Sequence, residues 1–105
     1  MPPSIAPFSF GDAPLDAGAL AQVQCVVTFG DLPVEITWTF HGSDATKRSQ
    51  TGVSIMKVGS KSSLLIIESV STENSGNYTC TAKNGAGVSN YTAELIVNGQ
   101  LHPIG

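Results

Sequence analysis

The sequence predicts an all-β domain, a sandwich of two antiparallel sheets bridged by one disulfide. Three observations support this prediction: apolar and polar residues alternate with a period of two, glycine and proline recur at strand-length intervals, and two distant cysteines flank a single tryptophan. The chain has 105 residues, the length of one domain. In no window of helical length do apolar residues recur at the spacing of a helix face, so we expect strands connected by turns.

The alternation predicts seven strands, lettered A to G in chain order. Around Cys25, Trp38 and Tyr78, every second residue is apolar or aromatic, as in a strand with one buried face. The predicted ranges are 4–9, 20–29, 34–41, 51–58, 62–68, 76–84 and 87–97, with a short kinked segment near 13–17 as an eighth candidate. Turns are predicted at 30–33 and at 84–87, where the Asn-Gly pair is a strong hairpin signal.

The cysteines, the tryptophan and one tyrosine stand at an informative spacing. Cys25, Trp38 and Tyr78-x-Cys80 match the signature of an immunoglobulin-like β-sandwich, and Leu65 on strand E agrees with it. In that fold the cysteines bridge the two sheets, the tryptophan packs on the bridge, and the tyrosine hydroxyl bonds to backbone at the preceding corner. The alternative is two free buried cysteines in a cytosolic domain, as in muscle proteins.

Composition and charge narrow the classes of function. The net charge is −3 and no basic patch stands out, which argues against nucleic acid as a partner. The start of the chain lacks the regions of a signal peptide and no segment approaches transmembrane length, so we expect any membrane anchor to lie outside this fragment. His41 and His102 lie in no nucleophile motif, and the cysteines are assigned to the bridge. We therefore predict no catalytic residue, no metal site and no cofactor.

Two further motifs favour an extracellular location. Asn77-Tyr78-Thr79 and Asn90-Tyr91-Thr92 are glycosylation acceptors in a secreted chain. An even number of cysteines points to the same oxidising compartment.

The two predicted sheets differ in the residues they turn outward. The outward positions of strands C, F and G are polar and rich in threonine, and both Asn77 and Asn90 are among them. On strands B, D and E the outward residues include several large apolar ones. The predicted interaction face comprises Gln22, Gln24, Val26, Met56, Leu64, Ile66 and Glu68. Exposed apolar patches tend to mark interaction sites, although neighbouring domains of a longer protein are an alternative cover for this one.

Several motifs resemble one family. They are Pro3-x-Ile5-x-Pro7-Phe8-x-Phe10, Gly30-Asp31-Leu32-Pro33-x-x-Ile36-x-Trp38 and Tyr78-Thr79-Cys80-x-Ala82-x-Asn84-x-Ala86-Gly87. With Leu95-x-Val97 they resemble the intermediate (I) set of immunoglobulin domains and, within it, the Dscam family over residues 2–98. The resemblance is to the alternatively spliced seventh domain of arthropod members and to the equivalent first domain of shortened chelicerate members.

This resemblance implies an extracellular adhesion module in the ectodomain of a cell-surface receptor. Its implied partner is itself, through isoform-specific antiparallel pairing of the A–B–E–D sheets of apposed cells, in neuronal self-recognition and self-avoidance. A heterophilic receptor or immune-recognition domain, and a structural spacer, remain the alternatives. We expect residues 1–98 to form the single domain and residues 99–105 to be the start of a linker or an expression tail.

Overall fold

The computed structural model describes residues 1–42 and 52–99 and contains nine strands within them. The strands are β1 (Ser4–Ile5), β2 (Leu15–Asp16), β3 (Ala21–Phe29), β4 (Glu35–Gly42), β5 (Val53–Val58), β6 (Ser62–Ile67), β7 (Gly76–Asn84), β8 (Gly87–Leu95) and β9 (Val97–Asn98). A single-turn 3₁₀ helix, Thr72–Asn74, precedes β7. The first residue of the predicted strand D, His102 and most of the predicted tail lie outside the described residues.

The strands form the predicted sandwich. The first sheet has the antiparallel order β1-β3-β6-β5, and the second has the order β4-β7-β8. The short strand β2 pairs in parallel with β9, which continues the last strand beyond Ile96. The amino-terminal segment therefore begins on the first sheet and crosses to the second, and the kinked segment predicted near 13–17 is confirmed as β2.

The disulfide joins the two sheets through the centre of the core. Cys25 on β3 and Cys80 on β7 are both fully buried, and their Cα atoms are 6.4 Å apart. The predicted bridge is confirmed. Around it the inward side chains of both sheets form one apolar cluster, because every second residue of each strand points to the same side. The cluster consists of Ala21, Val23, Leu65, Ile67, Val70, Tyr78, Leu95 and Val97.

The first predicted strand is too long. Pairing with β3 ends just after Ile5, where the amide of Ala6 makes its last bond to that strand. Pro7 has no amide proton to donate to a ladder. The chain then turns inward, and the Phe8 ring lies 5.5 Å from the Trp38 ring, edge to face. Aromatic packing between the sheets thus replaces strand pairing in this segment.

The predicted tyrosine corner is also present. The hydroxyl of Tyr78, a residue 1% exposed, donates to the backbone carbonyl oxygen of Asn74 across 2.6 Å. Asn74 is itself buried, and its Oδ1 accepts a hydrogen bond from the backbone amide of Ser71 at 2.8 Å. Burial raises the pKa of Tyr78 to about 12, since the ionised phenolate would lose its water. The corner therefore joins the 3₁₀ turn to the core.

The hairpin between β7 and β8 depends on the side chain of Asn84. Its Oδ1 accepts hydrogen bonds from the amides of Ala86 and Gly87 at 2.9 and 3.1 Å. Its Nδ2 donates to the carbonyl oxygens of Met1 and Asp31 at 2.8 and 3.1 Å. The hairpin at 84–87 is confirmed, but neither loop residue has a positive φ, so the asparagine side chain stabilises the turn in place of a left-handed glycine.

Candidate recognition face

The outward sides of β3, β6 and β5 form one continuous surface, here called the recognition face. Backbone register aligns its side chains in three rows across these strands. The first row is Gln22, Ile66 and Ser54, the second is Gln24, Leu64 and Met56, and the third is Val26, Ser62 and Val58. Because Ala21 pairs with Ile67, Leu20 and Glu68 lie level with each other beyond the first row. The structure thus places all seven residues of the predicted interaction face on one surface.

Apolar side chains on this face are exposed to solvent. Met56 is 53% exposed, Val58 is 41% exposed and Leu20 is 55% exposed. Val26, Leu64 and Ile66, which lie on the neighbouring strands, are each partly exposed. Gln22 and Gln24 on β3 are exposed. An apolar group of this kind, spread over three adjacent strands, differs from the single surface hydrophobes found on most proteins. It has the composition of an interface centre with polar residues beside it.

The charge of the recognition face lies at one end. Glu68 follows directly after β6, is exposed, and lies level with Leu20. Lys57, the charged residue of β5, pairs in register with Ser63 and so alternates to the opposite side of β5 from Met56. Among the described residues of β3, β5 and β6, the outward side chains are therefore uncharged, and the carboxylate of Glu68 stands beside them.

One exposed apolar residue was not identified from the sequence. Ile55 pairs in register with Leu65 and so points toward the core side of its sheet, yet it is 55% exposed. The reason is topological, since β5 is the edge strand of the first sheet and a groove separates it from β4. Alternation predicted the direction of this side chain, and no local signal shows that the second sheet stops short of it.

The outer face of the second sheet is polar, as its alternation predicted. Thr79 and Thr92 pair in register, and their hydroxyl oxygens are 2.7 Å apart. Asn77 and Asn90 are both exposed on the same side, the first level with Glu94. A glycan on either asparagine would project from this face, on the opposite side of the sandwich from the recognition face.

Within residues 1–42 and 52–99, no three side chains of the metal-ligating types converge on one point. In the same part of the chain, no helix is long and apolar enough to span a membrane.

The class of protein follows from the fold and its signature residues. The model of the immunoglobulin domain family matches residues 2–84, and the chain belongs to this family. Its relatives identify it further as an immunoglobulin domain of the Dscam family of cell adhesion molecules. It is an extracellular domain of a non-enzymatic family.

Two relatives and two solved structures illustrate the similarity. Over 98 residues the chain is 41% identical to cell adhesion molecule Dscam1 of Drosophila melanogaster, covering 93% of this chain and 5% of the relative. It is 42% identical over 97 residues to mouse cell adhesion molecule DSCAML1, covering 92% of this chain and 4% of that one. The chain thus spans about a twentieth of the length of these relatives.

The crystal structure of the Dscam1 Ig7 domain, isoform 5, has a TM-score of 0.83 and 46% identity, covering 92% of this chain and 97% of that one. The structure of the first eight immunoglobulin domains of DSCAM isoform 1.30.30 has a TM-score of 0.77 and 36% identity, covering 90% of this chain and 12% of that one.

Proposed function

We propose that this domain is an isoform-specific homophilic recognition module. Two copies on apposed cells pair in antiparallel fashion through the recognition face, and this pairing serves neuronal self-recognition and self-avoidance. The observation that carries the proposal is the apolar group formed on adjacent strands by the exposed Met56 and the partly exposed Val26, Leu64 and Ile66. The similarity to the Dscam1 Ig7 structures supports it.

A second copy of the chain suits this face for a physical reason. In a two-fold dimer the same patch is buried on both partners, so each side chain of the patch contacts residues of that same patch on the other copy. Apolar residues such as Leu64 and Ile66 suit such contacts, since they need no complementary charge. Substitutions at the exposed Gln22 and Gln24 would change which copies fit, and the polar residues would therefore set isoform specificity.

The opposite face is less suited to close contact. It presents mainly hydroxyl and amide groups, which stay hydrated at little cost, and both glycan acceptors project from it. An oligosaccharide at Asn77 or Asn90 would hold a second protein away from this sheet. The recognition face has no acceptor triplet among the described residues of its three strands.

The test is sedimentation equilibrium of the oxidised domain over a wide concentration range. We expect a monomer–dimer equilibrium, and we expect Ile66→Asp to weaken it about 30-fold or more, because a carboxylate would be buried without a partner at the centre of the interface. The matched control is Val88→Asp. Like Ile66, Val88 is a β-branched apolar residue on a strand, and its side chain is 58% exposed. Val88 lies on the opposite sheet, so its substitution should leave the monomer–dimer equilibrium unchanged.

Three results would contradict the proposal. If Ile66→Asp associates as the natural sequence does, the interface lies elsewhere. If Val88→Asp alone disrupts association, the second sheet is the binding face. A monomer at every concentration would favour the heterophilic receptor or the spacer. Immobilised domain and cell-surface binding screens would then separate those two.

A further inference from the structure

We propose that the two-fold axis of the self-paired dimer passes between the first two rows of the recognition face, midway between Leu64 and Ile66. Gln22 of one copy then faces the partner's Gln24. This inference rests on the proposed self-pairing and adds to it the register and the residues that determine specificity. It follows from comparing three symmetric arrangements of these rows of side chains.

A two-fold axis lying in the interface can run along the strands or across them. An axis along the strands makes the strands of the two copies parallel and brings each row against the same row. Glu68 would then lie opposite the partner's Glu68, and Gln24 would lie opposite the partner's Met56. Like charges placed against each other repel, and an amide buried against an apolar side chain loses its hydrogen bonds. This arrangement is therefore disfavoured.

An axis across the strands makes them antiparallel, and its position decides which rows meet. If it passes through the central row, the first row meets the third. Ile66 would then face the partner's Ser62, and Gln22 would face the partner's Val26. Each contact would bury a polar group against an apolar one, at a cost in desolvation. The central position is therefore also disfavoured.

The antiparallel arrangement fits when the axis lies between the first two rows. Ile66 then packs on the partner's Leu64, Gln22 meets the partner's Gln24, and the two amides can donate to and accept from each other. The remaining mismatch places Ser54 against the partner's Met56, whose flexible thioether side chain adapts to an irregular contact.

The ends of the face are compatible in the same arrangement. Leu20 meets the partner's Val26, and Glu68 lies level with the partner's Ser62, an uncharged side chain whose hydroxyl donates to the carbonyl oxygen of Val58. The two Glu68 carboxylates are then separated by about six residues of strand, roughly 20 Å. That distance exceeds the Debye length at physiological salt, so their repulsion is screened. Glu68 thus selects the antiparallel orientation over the parallel one.

The test mixes two variants of the domain, Gln22→Glu and Gln24→Lys. Each homodimer would bury a charge against an amide, whereas the mixed dimer has one Glu–Lys ion pair and one natural Gln22–Gln24 contact. We expect the mixed dimer to form about tenfold or more tightly than either homodimer at low salt, because close charge pairs across an interface attract each other. Raising the salt concentration to about 0.5 M should reduce this preference, because the added ions screen the ion pair. Sedimentation with one variant fluorescently labelled measures this.

The control mixes Gln22→Glu with Ser54→Lys, the pair that faces across a parallel dimer. A preference for that mixed dimer overturns the antiparallel arrangement. Suppose that neither mixture prefers the mixed dimer, yet the Ile66→Asp variant associates much more weakly than the natural sequence does. That result overturns the proposed register but is consistent with homophilic pairing through this face. If Ile66→Asp has no effect, homophilic pairing through this face itself is wrong.

Discussion

Trp38 on β4 donates a hydrogen bond from its indole Nε1 to the hydroxyl of Ser63 on β6 across 2.9 Å. Trp38 pairs in register with Cys80, and Ser63 pairs in register with Cys25. The hydrogen bond and the disulfide are therefore neighbouring links between the same two sheets. The bond supplies a partner for the indole N–H and determines the orientation of the ring inside the sandwich.

We expect Ser63→Ala to lower the free energy of unfolding by about 1–3 kcal/mol, because it leaves the indole N–H of Trp38 without its partner. Denaturant unfolding followed by tryptophan fluorescence measures the loss. Ser62→Ala is the matched control, since the Ser62 hydroxyl bonds to the carbonyl of Val58 at the exposed end of the hairpin. That variant should lose about 0.5 kcal/mol or less. Equal losses in both would mean that the inter-sheet bond contributes nothing specific.

Tyr78 makes the stability of the domain depend on pH in the alkaline range. Its pKa in the folded state is about 12, above the ordinary value of 10.0, mainly because burial disfavours the phenolate. The folded protein therefore holds this proton more tightly than the unfolded chain does. The contribution to the free energy of unfolding is complete below pH 10 and is lost as the pH rises to 12, by up to about 3 kcal/mol.

The check is the difference between the natural sequence and Tyr78→Phe in chemical denaturation from pH 8 to pH 12. At pH 8 the variant should be less stable by about 1 kcal/mol, since the carbonyl of Asn74 loses its donor. The two proteins should converge, or exchange order, as the pH rises, because phenylalanine does not titrate. A constant difference over the whole range would show that Tyr78 does not titrate with unfolding.

The pairing of β2 with β9 includes a side-chain bond that can be exchanged. Asn98 Nδ2 donates to Asp16 Oδ1 at 2.8 Å on the protein surface. We expect Asn98→Asp to lower the free energy of unfolding by about 1 kcal/mol, because it sets two carboxylates against each other. The double variant Asp16→Asn/Asn98→Asp reverses donor and acceptor and should recover most of that loss in thermal unfolding. Additive losses in the double variant would contradict a direct bond.

Glycans, where present, should not affect self-association. We expect the domain secreted from animal cells to carry glycans at Asn77 and Asn90, visible by mass spectrometry, since both side chains are exposed. Because both lie on the outer face of the second sheet, enzymatic removal should leave the dimer dissociation constant unchanged. The variant with both asparagines changed to glutamine is the control. A large gain in affinity on deglycosylation would indicate that the second sheet takes part in binding.

Sequence patterns predicted most of the sandwich because strands record their burial locally. The inward alternation around Val23, Cys25 and Val27 marks the same face that the structure buries. The predicted strand B begins one residue early, and strand G contains a break at Ile96 that alternation does not show. Periodicity determines which side of a strand is apolar, but it does not determine where pairing ends, since pairing depends on the neighbouring strand.

The outcome at Gly30 illustrates the limit of local patterns. Its φ of 134° favours glycine, and a Cβ at this position would lie 2.8 Å from the Cα of Pro3. The turn at 30–33 was predicted from its residue types, but its close contact with the amino-terminal segment was not. That contact joins residues distant in the chain, and no short motif records it.

The sequence by itself determined the class of fold, the disulfide pair, the turns and the division of outward residues between an apolar and a polar face. These features depend on local composition, on the period of two and on a spacing shared by a family. The tertiary structure alone decided that Phe8 enters the core in place of extending a strand, that Ile55 is exposed at a sheet edge, and that Gln24, Leu64 and Met56 share one row. Each of these depends on which distant strands lie side by side, and that is set by the total packing energy of the whole sandwich.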